Sequence, residues 1–158
     1  MKSVKNTPVV NDKKKTFLPI AFAAYALLML WLLFGQRAIR WNDGYDLALL
    51  AENINLIPFR TIAEFLHDLH GGGRSPAIIN LFGNVIMFVP LGFFIPAVFK
   101  KADTFRYTML WSAFTIVCIE IIQLFTLLGS LDIDDVILNM IGVLIGYGTY
   151  RLLWRREE

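Results

Sequence analysis

Cysteine is almost missing from this chain: 158 residues contain one, Cys118. A single thiol excludes an internal disulfide and leaves no cysteine framework for a metal centre. Charge is scarce as well, with 18% Asp, Glu, Lys and Arg against 56% hydrophobic residues and a mean hydropathy of +0.56. So little polar surface would not keep a domain of this length in water. No phosphate-cradling glycine loop, zinc motif or nucleophile–base pair appears either, so the sequence offers no ready enzymatic assignment.

What the chain does have is four long apolar runs, at residues 17–34, 76–99, 107–128 and 136–153. At about 1.5 Å per helical residue each is long enough to cross the ~30 Å hydrocarbon core of a bilayer. The expected fold is all-α, a polytopic membrane protein with four transmembrane helices. Lys13, Lys14 and Lys15 precede the first run, as in a cleavable leader. However, that run exceeds the roughly 7–15 residues of a leader's apolar region, and no small-residue cleavage site follows. A retained first helix is expected, with Trp31 and Trp41 near its far interface. The chain then divides into a basic tail at 1–15, a transmembrane domain at 16–153 and a short tail at 154–158.

Cations set the expected orientation. With the N-terminus inside, the cytoplasmic segments hold Lys2, Lys5, Lys13, Lys14, Lys15, Lys100, Lys101, Arg106, Arg151, Arg155 and Arg156. The outer segments hold Arg37, Arg40, Arg60 and Arg74. Eleven against four is a positive-inside bias over short connections, so both termini are expected in the cytoplasm.

That topology gathers the polar residues of the spans at one depth. Asn80 and Asn84 fall in the outer half of the second span, and Glu120 and Gln123 in the outer half of the third. Asp132, Asp134 and Asp135 open the fourth, with Asn139 a turn deeper. The spacings i, i+4 for the first pair, i, i+3 for the second and i, i+3, i+7 for Asp132, Asp135 and Asn139 give each helix one polar face. These faces should meet, because lipid is the worse surrounding for an amide or carboxylate. Glu120 needs a proton or a partner, since an uncompensated charge in hydrocarbon costs at least a few kcal/mol. Asp134 lies off the stripe and reads as a solvated helix start favoured by the helix dipole. Gly142 and Gly146, four apart, read as a close-packing surface. Gly129–Leu131 is the expected tight turn between the last two spans.

Two further segments stand out. Pro90 removes the donor for the Ile86 carbonyl, and the run from Pro90 to Pro96 predicts a bent or broken inner half of the second span. Between the first two spans, Thr61 to His70 reads as an amphipathic helix on the outer leaflet, with Ile62, Phe65, Leu66 and Leu69 on one face. His67 and His70 lack a neighbouring third ligand and read as solvated. Arg60 and Arg74 are the nearest cations to the carboxylates.

Four motifs carry a family resemblance: NLIPF at 55–59, NVIMFVPLGF at 84–93, EIIQ at 120–123 and DIDDVILNMIG at 132–142. In order and spacing they resemble the VanZ-like family, whose namesake is a teicoplanin-resistance protein, over residues 16–153. The resemblance implies that Asn55, Pro58, Asn84, Pro90, Gly92, Glu120, Gln123, Asp132, Asp135, Asn139 and Gly142 are the recurring positions. Many members carry an arginine shortly before the first Asp of the last motif, where this chain has Gly129-Ser130-Leu131. The implied function is that of a multi-pass protein of the bacterial cytoplasmic membrane, contributing to glycopeptide resistance through an outward-facing polar site between helices. The expected ligand-binding residues are Asn55, Asn84, Glu120, Gln123, Asp132, Asp135 and Asn139. Glu120, Asp132 and Asp135 are the candidates to hold a hard divalent cation. Membrane lipids and a glycopeptide or lipid-linked cell-wall precursor are the expected partners, and nucleic acid is not. A metal-dependent enzyme acting on a lipid-linked envelope substrate, or a small transporter, are the alternatives.

Overall fold

The structure, a computed structural model, describes residues 12–35, 48–70, 76–99 and 104–154. Helix α1 (Asp12–Leu30) continues into a π-helical turn, Trp31–Gly35. A short helix α2 (Ala48–Glu52) leads to β1 (Ile54–Asn55) and to α3 (Arg60–His70). Then come α4 (Pro76–Val98) and α5 (Phe105–Phe125). A two-residue strand β2 (Leu131–Asp132) precedes α6 (Ile133–Thr149), which ends in the π-helical turn Tyr150–Trp154. Among the described residues four helical stretches are long and apolar enough to cross a membrane: Thr16–Gly35, Ile79–Val98, Phe105–Phe125 and Ile133–Leu153. The protein is all-α and polytopic, and the amphipathic helix falls where its pattern places it.

Helices α4 and α6 form the most extensive pair. They run parallel, because Val85 and Phe88 meet Gly142 while Val89 and Phe93 meet Gly146. Glycine permits this approach: a Cβ at Gly142, Gly146 or Gly92 would collide with the backbone carbonyl of Val85, Val89 or Val143 respectively. Dispersion between closely approaching backbones is one of the forces that hold helices together in lipid, where hydrophobic burial gives no drive. The core beside this contact holds Phe88, Leu91 and Ile95 of α4, Ile116 and Ile119 of α5, and Val143 of α6.

Helix α1 is held more lightly, with 11% of its spanning window buried against 28–39% in the other three. It leans on α4 through aromatic contacts, Phe22 to Phe94 at 5.8 Å and Tyr25 to Phe94 at 5.9 Å between ring centroids. The Tyr25 hydroxyl also donates to the Met87 carbonyl at 2.9 Å, next to the Ile86 carbonyl that Pro90 leaves without a donor. Of the bend or break expected in this span, the break does not occur. Helix α4 runs unbroken through Pro90 and Pro96 to Val98. A proline in a membrane helix forfeits one hydrogen bond, and neighbouring helices can meet the freed groups without a break.

The hairpin between α5 and α6 also differs in detail from its sequence reading. The third span ends at Phe125, three residues before the end of its apolar run. Leu127 N–H bonds the Leu124 carbonyl at 3.0 Å and Leu128 N–H bonds the Gln123 carbonyl at 3.1 Å. These are the two bonds of a Schellman motif, and the left-handed position, usually glycine, is occupied by Leu127 with φ 53°. Gly129 lies two residues beyond it.

Candidate functional site

The polar residues concentrate at the end of the bundle that carries the α5–α6 turn. There the segment before α3 is strapped to the start of α6. Strands β1 and β2 pair in parallel, Ile54 with Leu131 and Asn55 with Asp132, and Leu131 N–H donates to the Asn53 carbonyl at 2.8 Å. Asp132 is the N-cap of α6: its Oδ1 accepts from Asp134 N–H at 2.8 Å. The same oxygen accepts from Asn55 Nδ2 at 3.2 Å, and Oδ2 accepts from Thr61 Oγ1 at 2.6 Å. Asn55 Nδ2 also reaches Thr61 Oγ1 at 2.9 Å, while its Oδ1 accepts from Ile57 N–H. Asn55, Thr61 and Asp132 thus form a closed polar clip.

Asp134 overturns its sequence reading. It is not a solvated helix start, because none of its surface is exposed. Its Oδ1 accepts from Phe59 N–H and its Oδ2 from Ile62 N–H at 3.1 Å. Those two donors lie at the N-terminus of α3, so a carboxylate from the fourth span caps a helix some 75 residues earlier in the chain. Phe59 adopts φ 66° to present its N–H. Left-handed backbone at a bulky residue costs about 1–2 kcal/mol, and the bond to a buried carboxylate offsets it. The N-terminal dipoles of α3 and α6 converge on Asp132 and Asp134, and favour negative charge there.

Asp135 turns toward α4, where its Oδ1 accepts from Asn84 Nδ2 in a short hydrogen bond. Glu120, 3% exposed, lies under the turn with its Oε2 3.5 Å from the backbone nitrogen of Asp132. Gln123 is buried and anchors the turn through its carbonyl, which accepts from Leu128 and Gly129. Asn80 lies one turn before Asn84, half-buried. Asn139 is 3% exposed, and its Oδ1 has no hydrogen-bond partner. Ser112 Oγ on α5 shares that condition, and the two are the unpartnered buried side-chain atoms among the described residues.

The structure therefore sorts the residues expected in one site into two sets. Asn55 and Asp132 are committed to the clip, whereas Asn84, Glu120, Gln123, Asp135 and Asn139 line the interior between α4, α5 and α6. Among the described residues no group of three His, Cys, Asp or Glu side chains is placed to hold a metal ion. Arg60 does not serve the carboxylates; it pairs with Glu64 at 3.1 Å on the exposed face of α3. His67 is exposed, and Arg74 and Trp41 lie outside the described residues.

Sequence reasoning passed over the side chains of Thr61, Thr108 and Ser112 and misread that of Asp134. Thr108 and Ser112 are fully buried and extend the polar face of α5 at four-residue spacing toward Glu120, so a longer search along that face would have found them. Nothing local marks Thr61 or Asp134, whose partners are set by the tertiary fold.

Four spanning helices, a capped segment between the first two and a polar interior at one end define a multi-pass helical membrane protein with its polar chemistry between helices. The chain matches the VanZ/LLP1 family over residues 22–154, and it belongs to that family. It is similar to Protein VanZ of Enterococcus faecium, with 26% identity over 133 residues, covering 82% of this chain and 71% of that protein. No solved structure matches it.

Proposed function

We propose that this protein acts in the bacterial cell envelope by binding a polar ligand group between α4, α5 and α6, at the end that faces outward. The observation that carries the reading is the Asn139 Oδ1, buried and unpartnered one turn below the Asp135–Asn84 pair. A buried acceptor without a donor costs about 1–3 kcal/mol, which a ligand donor would recover. Carboxylates and amide oxygens gathered there suit a ligand that brings N–H or O–H donors or positive charge. Glycopeptides of the teicoplanin type and lipid-linked cell-wall precursors both carry such groups, and the family's namesake makes reduced glycopeptide susceptibility the physiological readout to test.

In this reading both termini are cytoplasmic and the clip of Asn55, Thr61 and Asp132 holds the outer segment over the site. The clip is scaffold. Glu120→Gln and Asn139→Leu should abolish any protection against teicoplanin that the wild-type chain confers on a susceptible host, at matched membrane expression. Full protection by both variants would overturn the site. A metal-dependent enzyme finds less support, because among the described residues no group of three His, Cys, Asp or Glu side chains is placed to hold a metal ion.

A further inference from the structure

A second feature lies at the opposite end of the bundle, away from the polar interior. Helix α1 leans on α4 rather than on α5, and the space between α1 and α5 is a cavity of about 570 Å³, within the roughly 300–1,000 Å³ of ligand pockets. Its walls are Phe22 and Met29 of α1, Leu91 and Ile95 of α4, and Trp111 of α5. Apart from Tyr107 and Trp111 at its mouth, two polar side chains line it and both are satisfied within the protein: Tyr25 OH donates to Met87 O, and Thr115 Oγ1 to Trp111 O at 2.9 Å. The cavity therefore asks nothing polar of its occupant. Water gains too few partners there, since a bound water needs two to four.

The mouth is of a different character. Phe99, Tyr107 and Trp111 are 51%, 54% and 55% exposed there, as aromatics at the level of lipid headgroups are. The eight-residue step from Phe99 to Tyr107 carries Lys100, Lys101 and Arg106 against one acid, Asp103. Of these Arg106 is an exposed residue in the first turn of α5. An apolar cleft within the span with a cationic, aromatic mouth matches one acyl chain beneath a negatively charged headgroup.

We propose that this cavity is a binding site for an anionic phospholipid, with one acyl chain between α1, α4 and α5 and its phosphate toward Arg106. The test is lipid retention by the full chain. Wild type, Ala26→Trp and Arg106→Glu are reconstituted in nanodiscs of equal phosphatidylglycerol and phosphatidylcholine, moved to mild detergent, and weighed by native mass spectrometry. Wild type should keep one lipid with phosphatidylglycerol preferred about tenfold. Ala26→Trp, which fills the cavity from α1, should lower retention of both lipids about tenfold, and Arg106→Glu should erase the headgroup preference while leaving retention. A wild type that keeps no lipid overturns the site, as does a folded Ala26→Trp that keeps as much. A dimer free of lipid would show the cleft to be an interface between copies. Should Ala26→Trp fail to fold, phosphatidylglycerol with a mid-chain diazirine maps the site on wild type. Adducts should concentrate on Phe22, Met29 and Ile95, and an even spread that includes Ile79, Phe82 and Ile86 would refute the proposal.

Discussion

Asp134 is the side chain whose environment most changes how this chain is understood. Its two oxygens take two backbone N–H groups of α3, so removing it strands both donors and leaves the turn at Phe59 strained. Asp134→Ala should cost about 2–4 kcal/mol. The loss would be read as a lower melting temperature in detergent and faster proteolysis within residues 55–70. Asp134→Asn should fall between, since an amide keeps one acceptor. Leu127 gives the opposite expectation. With φ 53° it bears a left-handed conformation that glycine adopts freely, so Leu127→Gly should raise stability by up to about 1 kcal/mol, visible in the same melting assay. Neither residue is marked in the sequence. A helical stripe follows from spacing, which is why Glu120, Gln123 and Asn139 could be placed on buried faces from residue order alone. A hydrogen bond from the fourth span to a segment some 75 residues away cannot be read from either segment. The left-handed Leu127 was hidden because Gly129 stood close by as the more natural terminator.

Among the elements, the contact of α4 with α6 is the one that tolerates least. Gly146 faces the carbonyl of Val89 and the nitrogen of Phe93, with no flexible side chain to yield. Gly146→Leu should force the helices apart and cost more than about 2 kcal/mol, with Gly142→Leu similar. Gly148, where a Cβ would meet nothing within 4 Å, is the control on the same helix, and Gly148→Ala should fold as wild type. Melting curves at matched purification yield would separate them. Here the sequence was informative: glycines four apart in an apolar helix announce close packing, although they do not say which neighbour is approached. The prolines of α4 were a poorer guide. A missing N–H predicts a local loss, and whether that loss bends the helix depends on packing on either side, which the sequence leaves open.

At the scale of the whole molecule, the four spans and the amphipathic helix between the first two follow from hydropathy because a bilayer leaves so few ways to satisfy a backbone. Their direction across the membrane rests on the distribution of cations. Single cysteines at Ser3, Gly72 and Glu158 in a Cys118→Ala background should give labelling of intact cells by an impermeant thiol reagent at position 72 and at neither terminus. Labelling at 3 or 158 instead would reverse the orientation, and with it the side to which the polar interior opens.

The cap that Asp134 places on α3 bears on the order of events during synthesis. A ribosome makes the segment between the first two spans long before it reaches the last span, so the N–H groups of Phe59 and Ile62 exist first and their carboxylate arrives late. Until residues 131–135 emerge, β1 has no strand to pair with and α3 has no cap. That segment therefore gains its cap only once the start of the fourth helix has been made. A quality-control protease on the same side of the membrane would thus distinguish a finished molecule from an unfinished one by that segment alone.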